Sequence, residues 1–466
     1  RKGRRLSPTK RLSMLDEHGG RERIIPAEVR GPIRRARVGV HAVLLLIFVL
    51  LPWIRIGDMQ ALLLDLPGRR FEIFGFLFLS HDAPLVFFLL ILAALVLLFV
   101  TAIWGRVWCG WACPQTVFID AVYRRIEIWI EGDYRQRRKL AAEPMSARKA
   151  FKLGAKWFLY LIVSSLIAHS VMAYFAGSRK LIAMMQGSPT ENWGYFLFAT
   201  AITGLLLLNF GWFREQFCII MCPYGRLQGA LMDQRTVTVL YDEKRGEPRK
   251  GSVRGQKTGD CVSCNRCVEV CPVKIDIRQG VQMECISCTA CIDACNEIMQ
   301  RVKKPEGLIR HASQSTEESL FFRPRILLYA LLIVLFTGLL TTSIATRKPY
   351  SVMIVRATDA PFQMLPTGMV LNHFKTHYMN QSNEEREVEF VLTAADLERG
   401  LTLTQAGGIR KVAPGASITP HIFVSAPKDV FGVKGEAVFK IKVVDHLTNT
   451  AEEIEVKALG PYSAGS

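Results

Sequence analysis

Five long apolar runs, two four-cysteine runs of identical spacing and a tail of period-two alternation predict a multi-domain membrane protein. The expected architecture is an α-helical bundle of about five transmembrane helices, a compact cysteine-rich domain on the cytoplasmic side, and a C-terminal all-β sandwich of the immunoglobulin type.

The elements follow in order along the 466 residues. Residues 1–37 form a basic head. Spans are expected at about 38–56, 84–104, 154–175, 195–213 and 326–346. Each run can cross ~30 Å of hydrocarbon at about 1.5 Å per residue. The first run ends in "LLPWIRIGD" with no small-residue cleavage site, so it reads as an anchor and not a secretory signal. Residues 38–213 then form a four-helix bundle, 214–325 a cysteine-rich domain, 326–346 the fifth span, and 347–466 the β-domain.

Charge sets the orientation. The formal net charge is +18, but from Arg347 onward there are 13 Lys+Arg against 13 Asp+Glu. The surplus therefore lies between the apolar runs. The head carries twelve Lys+Arg, loop 105–153 ten and loop 214–325 eighteen, whereas loop 176–194 carries only Arg179 and Lys180. By the positive-inside rule the head and the two basic loops are cytoplasmic and the tail is exported. Nucleic-acid binding is excluded as a function class: no basic face is interleaved with stacking aromatics and no known module is present.

In the tail, "REVEFVLT" alternates Val388, Phe390 and Leu392 with charged neighbours. "AVFKIKVVD" does so with Phe439, Ile441 and Val443, and "EEIEVKA" with Ile454 and Val456. Turn-rich breaks such as "APGAS" and "HLTN" separate these runs, the pattern of half-buried strands in a sandwich. No cysteine lies in this region to staple the sheets.

All twelve cysteines fall into four groups. "CVSCNRCVEVCP" (261–272) and "CISCTACIDACN" (285–296) both read C-x2-C-x2-C-x3-C, the spacing of two-cluster bacterial ferredoxins. Three cysteines of each run serve one [4Fe–4S] cube and the fourth serves the other. Cluster one then takes Cys261, Cys264, Cys267 and Cys295, and cluster two takes Cys285, Cys288, Cys291 and Cys271. Disulfides are disfavoured in a reducing compartment, and zinc usually takes one or two C-x2-C pairs. Cys271 is followed by proline as the ferredoxin pattern expects; Cys295 is followed by Asn296, a departure. Val262, Val268, Ile286 and Ile292 are candidates for the dry shell around the clusters.

The remaining groups are "WCGWACPQ" (108–115) and "FCIIMCPYG" (217–225). Cys109 with Cys113, and Cys218 with Cys222, share a face if their segments are helical. Pro114 and Pro223 follow, and proline kinks or ends a helix. Four sulfurs at the ends of two packed spans suit Cu(I) or an iron–sulfur cluster. Each pair can instead cycle between dithiol and disulfide, or be inert packing. Weaker candidates are His41 and His169 inside spans, Met184 and Met185 in an outer loop, and Asp120, which with Arg124 reads as a salt-bridged helix face.

Taken together, "WCGWACPQTVF", "CIIMCPYGRLQ", the two ferredoxin motifs, a last span and an exported β-domain resemble the FixG/RdxA/CcoG family of cytochrome c oxidase accessory proteins. The resemblance covers nearly the whole chain and is strongest over 104–300. It implies two [4Fe–4S] clusters on the eight ferredoxin cysteines. It also implies a role in biogenesis of the cbb3-type oxidase as a cupric reductase of the bacterial inner membrane, with copper as a substrate or bound ion. Cys109, Cys113, Cys218 and Cys222 match the family's C-x3-C-P motifs and are the candidate catalytic and metal residues, with a third metal site as one reading. Expected partners are the membrane, copper transporters, cbb3 assembly factors, an electron donor of unspecified identity and a second copy of the chain. The layout is also similar to the quinol-dehydrogenase ferredoxin proteins of periplasmic nitrate reductase, which gives the alternative of electron transfer between quinone pool and an exported reductase. The exported β-domain favours the first reading.

Overall fold

The computed structural model describes residues 24–57, 59–78, 82–250, 258–315, 323–357, 360–382, 384–405, 408–448 and 450–462. Most of the basic head thus lies outside the described residues, as do parts of loop 214–325. The described residues form two compact units, one within Arg1–Arg55 and Val86–Leu340, the other within Ile56–Leu85 and Thr341–Ser466.

Among the described residues five helices are long and apolar enough to cross a membrane: Pro32–Trp53, Pro84–Trp104, Ala147–Ala176, Trp193–Phe213 and Pro324–Ala345. The first begins and ends earlier than expected, since Pro32 suits the first helical turn and Arg55–Ile56 is already strand. The third begins seven residues before its apolar run. There the Ser146 side chain accepts from the Lys149 amide at 3.3 Å and caps a polar first turn that hydropathy does not register.

In the first unit an aromatic core ties the spans to the loop between the second and third. Tyr123 lies 4.9 Å from Tyr160 and 5.1 Å from Phe210, ring centre to ring centre, and Phe118 contacts Phe48. The described parts of the head segment, of loop 105–146 and of loop 214–315 pack on one another within this unit. The Ala27 amide donates to the Glu269 carbonyl at 2.8 Å, and the Val237 amide to the Ile103 carbonyl at 2.9 Å. The first span is capped from outside its own sequence: the Asp293 carboxylate accepts from the Arg34 amide at 2.7 Å.

The second unit is the β-sandwich. One sheet centres on Val370–Asn380, which pairs antiparallel with Tyr350–Arg356 and His421–Ala426. The other centres on Glu436–Asp445, between Arg386–Leu392 and Thr450–Leu459. The alternating positions expected to face inward do so: Val388, Phe390, Leu392, Phe439, Ile441, Val443 and Val456 are buried in one core. A three-stranded sheet over Leu62–Asp65, Arg70–Ile73 and Phe76–Phe78 belongs to this unit, although nothing in the sequence pattern announced it. Arg347 fastens it, donating to the Leu77 carbonyl at 2.7 Å and pairing with Asp82 at 2.7 Å. The loop after the first span and the tail are therefore packed in one unit.

Candidate functional site

The two ferredoxin motifs fold alike. Ser263 and Asn265 in the first, and Ser287 and Thr289 in the second, are left-handed, with φ of 58°, 58°, 52° and 66°. Such residues curl a short loop so that successive backbone N–H groups line its inside, a setting for an anionic centre. Each loop then enters a helix, Arg266–Glu269 or Ala290–Arg301. The second helix continues through Cys295 and Asn296, where a proline would break it. The Asn296 side chain accepts from the Gly307 amide at 3.0 Å and ties down the following turn.

Two cavities sort the eight cysteines. Cys261, Cys264, Cys267 and Cys295 line one, with Tyr241, Met299 and Leu308. Cys271, Cys285, Cys288 and Cys291 line the other, with Val239, Ile275 and Ile277; Cys267 reaches its edge. Each cavity thus gathers three cysteines of one motif and the last cysteine of the other. Burial pushes the Cys267 and Cys285 thiols up to about 11 and Cys295 up to about 12. Apolar surroundings keep such thiols protonated until a cation replaces the protons. Among the described residues no three His, Cys, Asp or Glu side chains converge tightly enough for one mononuclear ion. A cubane does not need that convergence, since each cysteine binds a different iron. The donor set and its dry walls fit two [4Fe–4S] clusters.

The C-x3-C-P segments are not continuous helices, which corrects the expected shared helical face. After the second span the chain breaks at Gly105, with φ +55°, and restarts as a short helix, Val107–Trp111. The Cys113 amide then reaches five residues back to the Trp108 carbonyl at 2.9 Å, Cys113 turns extended, and Pro114 opens a new helix. The second segment repeats this: the Cys222 amide bonds the Phe217 carbonyl at 2.9 Å, Cys222 is extended, and Pro223 opens Pro223–Leu231. The widened turn and the proline put the first cysteine of each pair on one helix end and the second at the mouth of the next. The four sulfurs share one neighbourhood. Burial raises the Cys218 thiol to about 12, and Cys113, Cys109 and Cys222 add to that rise. Burial also raises Cys109 and Cys113.

This neighbourhood abuts the second ferredoxin loop. A Cβ on Gly110 would overlap the Ile286 carbonyl oxygen and lie 3.0 Å from the Cys288 Cα and amide nitrogen. Glycine is therefore the residue that lets the backbones touch. Arg106 spans the same junction: its Nε donates to Gln228 Oε1 at 2.8 Å and its guanidinium to the Met283 carbonyl. Gln228, fully buried, also accepts from Cys109 Sγ at 3.3 Å. Cys218 lines a small cavity with Pro272, Val273 and Ile286 of the ferredoxin loops.

Asp120 is more than half of a helix-face pair. Arg124 reaches it at 3.2 Å, but Arg34 and Arg37 also close on it, and it is 6 % exposed. Burial disfavours its charge, yet the Arg37, Arg34 and Arg124 guanidinium groups outweigh this and hold the carboxyl well below the usual carboxylate range. His41 is buried beside it, Nδ1 3.9 Å from Asp120 Oδ2, while Nε2 has no partner among the described residues. His169 bonds its own helix, at the Ser165 carbonyl, 2.7 Å away. Met184 and Met185 lie on the short helix Ser178–Gln186, and Met185 is exposed. Arg106, Gln228 and Gly110 escaped the sequence reading. The hint lay in "GRVWCG", where an arginine and a glycine flank the first cysteine.

Comparisons with known proteins agree with this layout. Residues 213–314 match a family described as a 4Fe-4S dicluster domain, and residues 85–135 one described as a 4Fe-4S binding domain. Residues 340–459 match the IG-like fold at the C-terminus of FixG. Protein RdxA of Cereibacter sphaeroides is 36% identical over 430 residues, covering 87% of this chain and 89% of its own. Nitrogen fixation protein FixG of Rhizobium meliloti is 31% identical, covering 96% of this chain and 94% of its own. The ferredoxin-type protein NapH of Haemophilus influenzae is 23% identical, covering 40% of this chain and 66% of its own. With two ferredoxin cavities, five apolar helices and an immunoglobulin-like tail, this iron–sulfur electron-transfer membrane protein belongs to the FixG/RdxA family.

Proposed function

We propose that the protein is a cupric reductase of the bacterial inner membrane that supplies Cu(I) for assembly of the cbb3-type oxidase. The head and ferredoxin domain face the cytoplasm in this reading, and the β-domain is exported. The carrying observation is the packing of Gly110, between Cys109 and Cys113, on the backbone at Ile286 and Cys288. It supports reading the four C-x3-C-P cysteines, whose first segment abuts the second ferredoxin loop, as a station for a metal substrate next to one-electron chemistry.

The eight ferredoxin cysteines hold the clusters in the cross-ligated sets, and those clusters, when bound, supply one-electron transfer. Cu(II) takes up one electron to become Cu(I). Cys109, Cys113, Cys218 and Cys222 provide soft thiolates that favour Cu(I) over Cu(II), which makes the reduction more favourable. Burial keeps Cys109, Cys113 and Cys218 neutral thiols until copper displaces the protons. Gln228 and Arg106 fix the Cys109 sulfur and the adjoining ferredoxin loop.

Chemically reduced wild type in nanodiscs is expected to convert Cu(II) to Cu(I), followed with a Cu(I)-specific chromophore. A Cys109→Ser, Cys222→Ser double variant is expected to lose that conversion while keeping about eight iron per chain. Loss of iron in the double variant would mean that the four cysteines hold a further cluster instead. The similarity to NapH favours a second reading, electron transfer between quinol and an exported reductase. Oxidation of a quinol analogue without copper turnover would select it.

A further inference from the structure

Beside the second ferredoxin loop lies a cavity of about 770 Å3 that the proposed function does not use. It is the size of a small-molecule site. Seven arginines line it against two acids, Glu28 and Asp120. Arg34, Arg37 and Arg124 direct part of their charge at Asp120, and Arg124 pairs with Glu215 as well. The guanidinium groups of Arg30, Arg35 and Arg125 have no hydrogen-bond or ion-pair partner among the described residues. Arg137, 2 % exposed, pairs with Glu28 and Glu127, and its Nε has no partner among the described residues. Cys288 and Pro272 form part of the wall.

Concentrated, incompletely neutralised guanidinium groups in a concave site call for an anion that accepts several hydrogen bonds at once. Carboxylate and phosphate both do so, and phosphate carries more charge and more acceptor oxygens. We infer that this cavity binds a phosphate-bearing anion beside Cys288. Two sources present that chemistry. Arg34, Arg35 and Arg37 stand on the first turns of a membrane span, within reach of a phospholipid headgroup. The cavity is also large enough for a soluble mononucleotide.

The test uses the full chain with its clusters. In detergent, binding of inorganic pyrophosphate and of flavin mononucleotide is measured at low and high salt. In nanodiscs, retention of phosphatidylglycerol over phosphatidylcholine is measured by native mass spectrometry. An Arg30→Gln, Arg35→Gln, Arg125→Gln variant is compared with an Arg135→Gln, Arg148→Gln control, whose residues are exposed outside the cavity. The expected result is salt-sensitive binding of one source, at least about tenfold weaker in the cavity variant and unchanged in the control, with iron content intact in all three. Competition between pyrophosphate and retained phosphatidylglycerol identifies the headgroup. Pyrophosphate or flavin binding without lipid preference identifies a soluble ligand. The inference is overturned if neither source binds wild type, if the cavity variant binds as wild type does, or if the control loses as much.

Discussion

At the scale of single residues, close approach and buried charge decide the most. Gly110→Ala would push a methyl group into the Ile286 carbonyl, backbone that has no rotamer to yield. We expect a loss of roughly 1–3 kcal/mol and weaker iron retention at the second cavity, read by thermal melting and iron content. Gly154, on the long third span, is the matched control, because a methyl group there would meet nothing within 4 Å. Gly154→Ala should be neutral or slightly stabilising. Asp120 holds three guanidinium groups together, so Asp120→Asn should cost roughly 3–5 kcal/mol by leaving buried cations unpaired. Its folded pKa is depressed, so the stability it adds is fully present above its unfolded value of about 4 and fades as pH falls below that. Melting curves of wild type and Asp120→Asn should keep a constant gap from about pH 5 to 8, and the gap should narrow below about pH 4.

At the scale of elements, two devices matter most. The first is the widened turn ending in Cys-Pro, used twice, which replaces a continuous helix with two helix ends meeting at a cysteine. The repeat was visible in the sequence; the geometry was not, because i,i+4 spacing is compatible with both a helix and a break. The second is the polar stripe on the inner face of Val370–Asn380. Asn372, Thr376 and Asn380 point inward where apolar residues normally sit, so the strand shows no period-two signal despite its central place. Asn372 offsets the cost of its burial by pairing with both backbone groups of Leu459, accepting from the amide and donating to the carbonyl at 2.9 Å each. Asn372→Ala should cost about 1–3 kcal/mol, and hydrogen exchange at the Leu459 amide should speed up before that of neighbouring strands.

At the scale of the whole molecule, parity of the spans and packing within each unit constrain topology independently of charge. Loop 56–85 packs with the tail, while the head segment, loop 105–146 and loop 214–315 pack with one another. Reporters inserted after Gly68 and after Leu447 should therefore report one side, and reporters after Met145 and after Arg310 the other. Agreement of a Gly68 reporter with a Met145 reporter would contradict the orientation read from loop charge. Cross-ligation makes a second prediction at this scale. Cys295→Ser and Cys271→Ser should each remove the cluster bound mainly by the other motif, giving distinct paramagnetic signals that survive in the reciprocal variant.

By itself the sequence determined the spans, the two cluster motifs and the outline of the β-domain. These rest on local composition and spacing: a run of apolar side chains must leave water wherever it folds, and four closely spaced cysteines must form a shared donor set. Tertiary structure decided what stands next to what. It brought Gly110 onto the second ferredoxin loop, gathered arginines from the head, the first span and the loop after the second around one cavity, and joined the first loop to the distant tail. The partners in such pairings stand as far apart in the chain as 86 residues for Arg34 with Asp120 and 270 for Arg347 with Leu77. No local pattern encodes them, because the energy that selects them arises only when both surfaces are buried together.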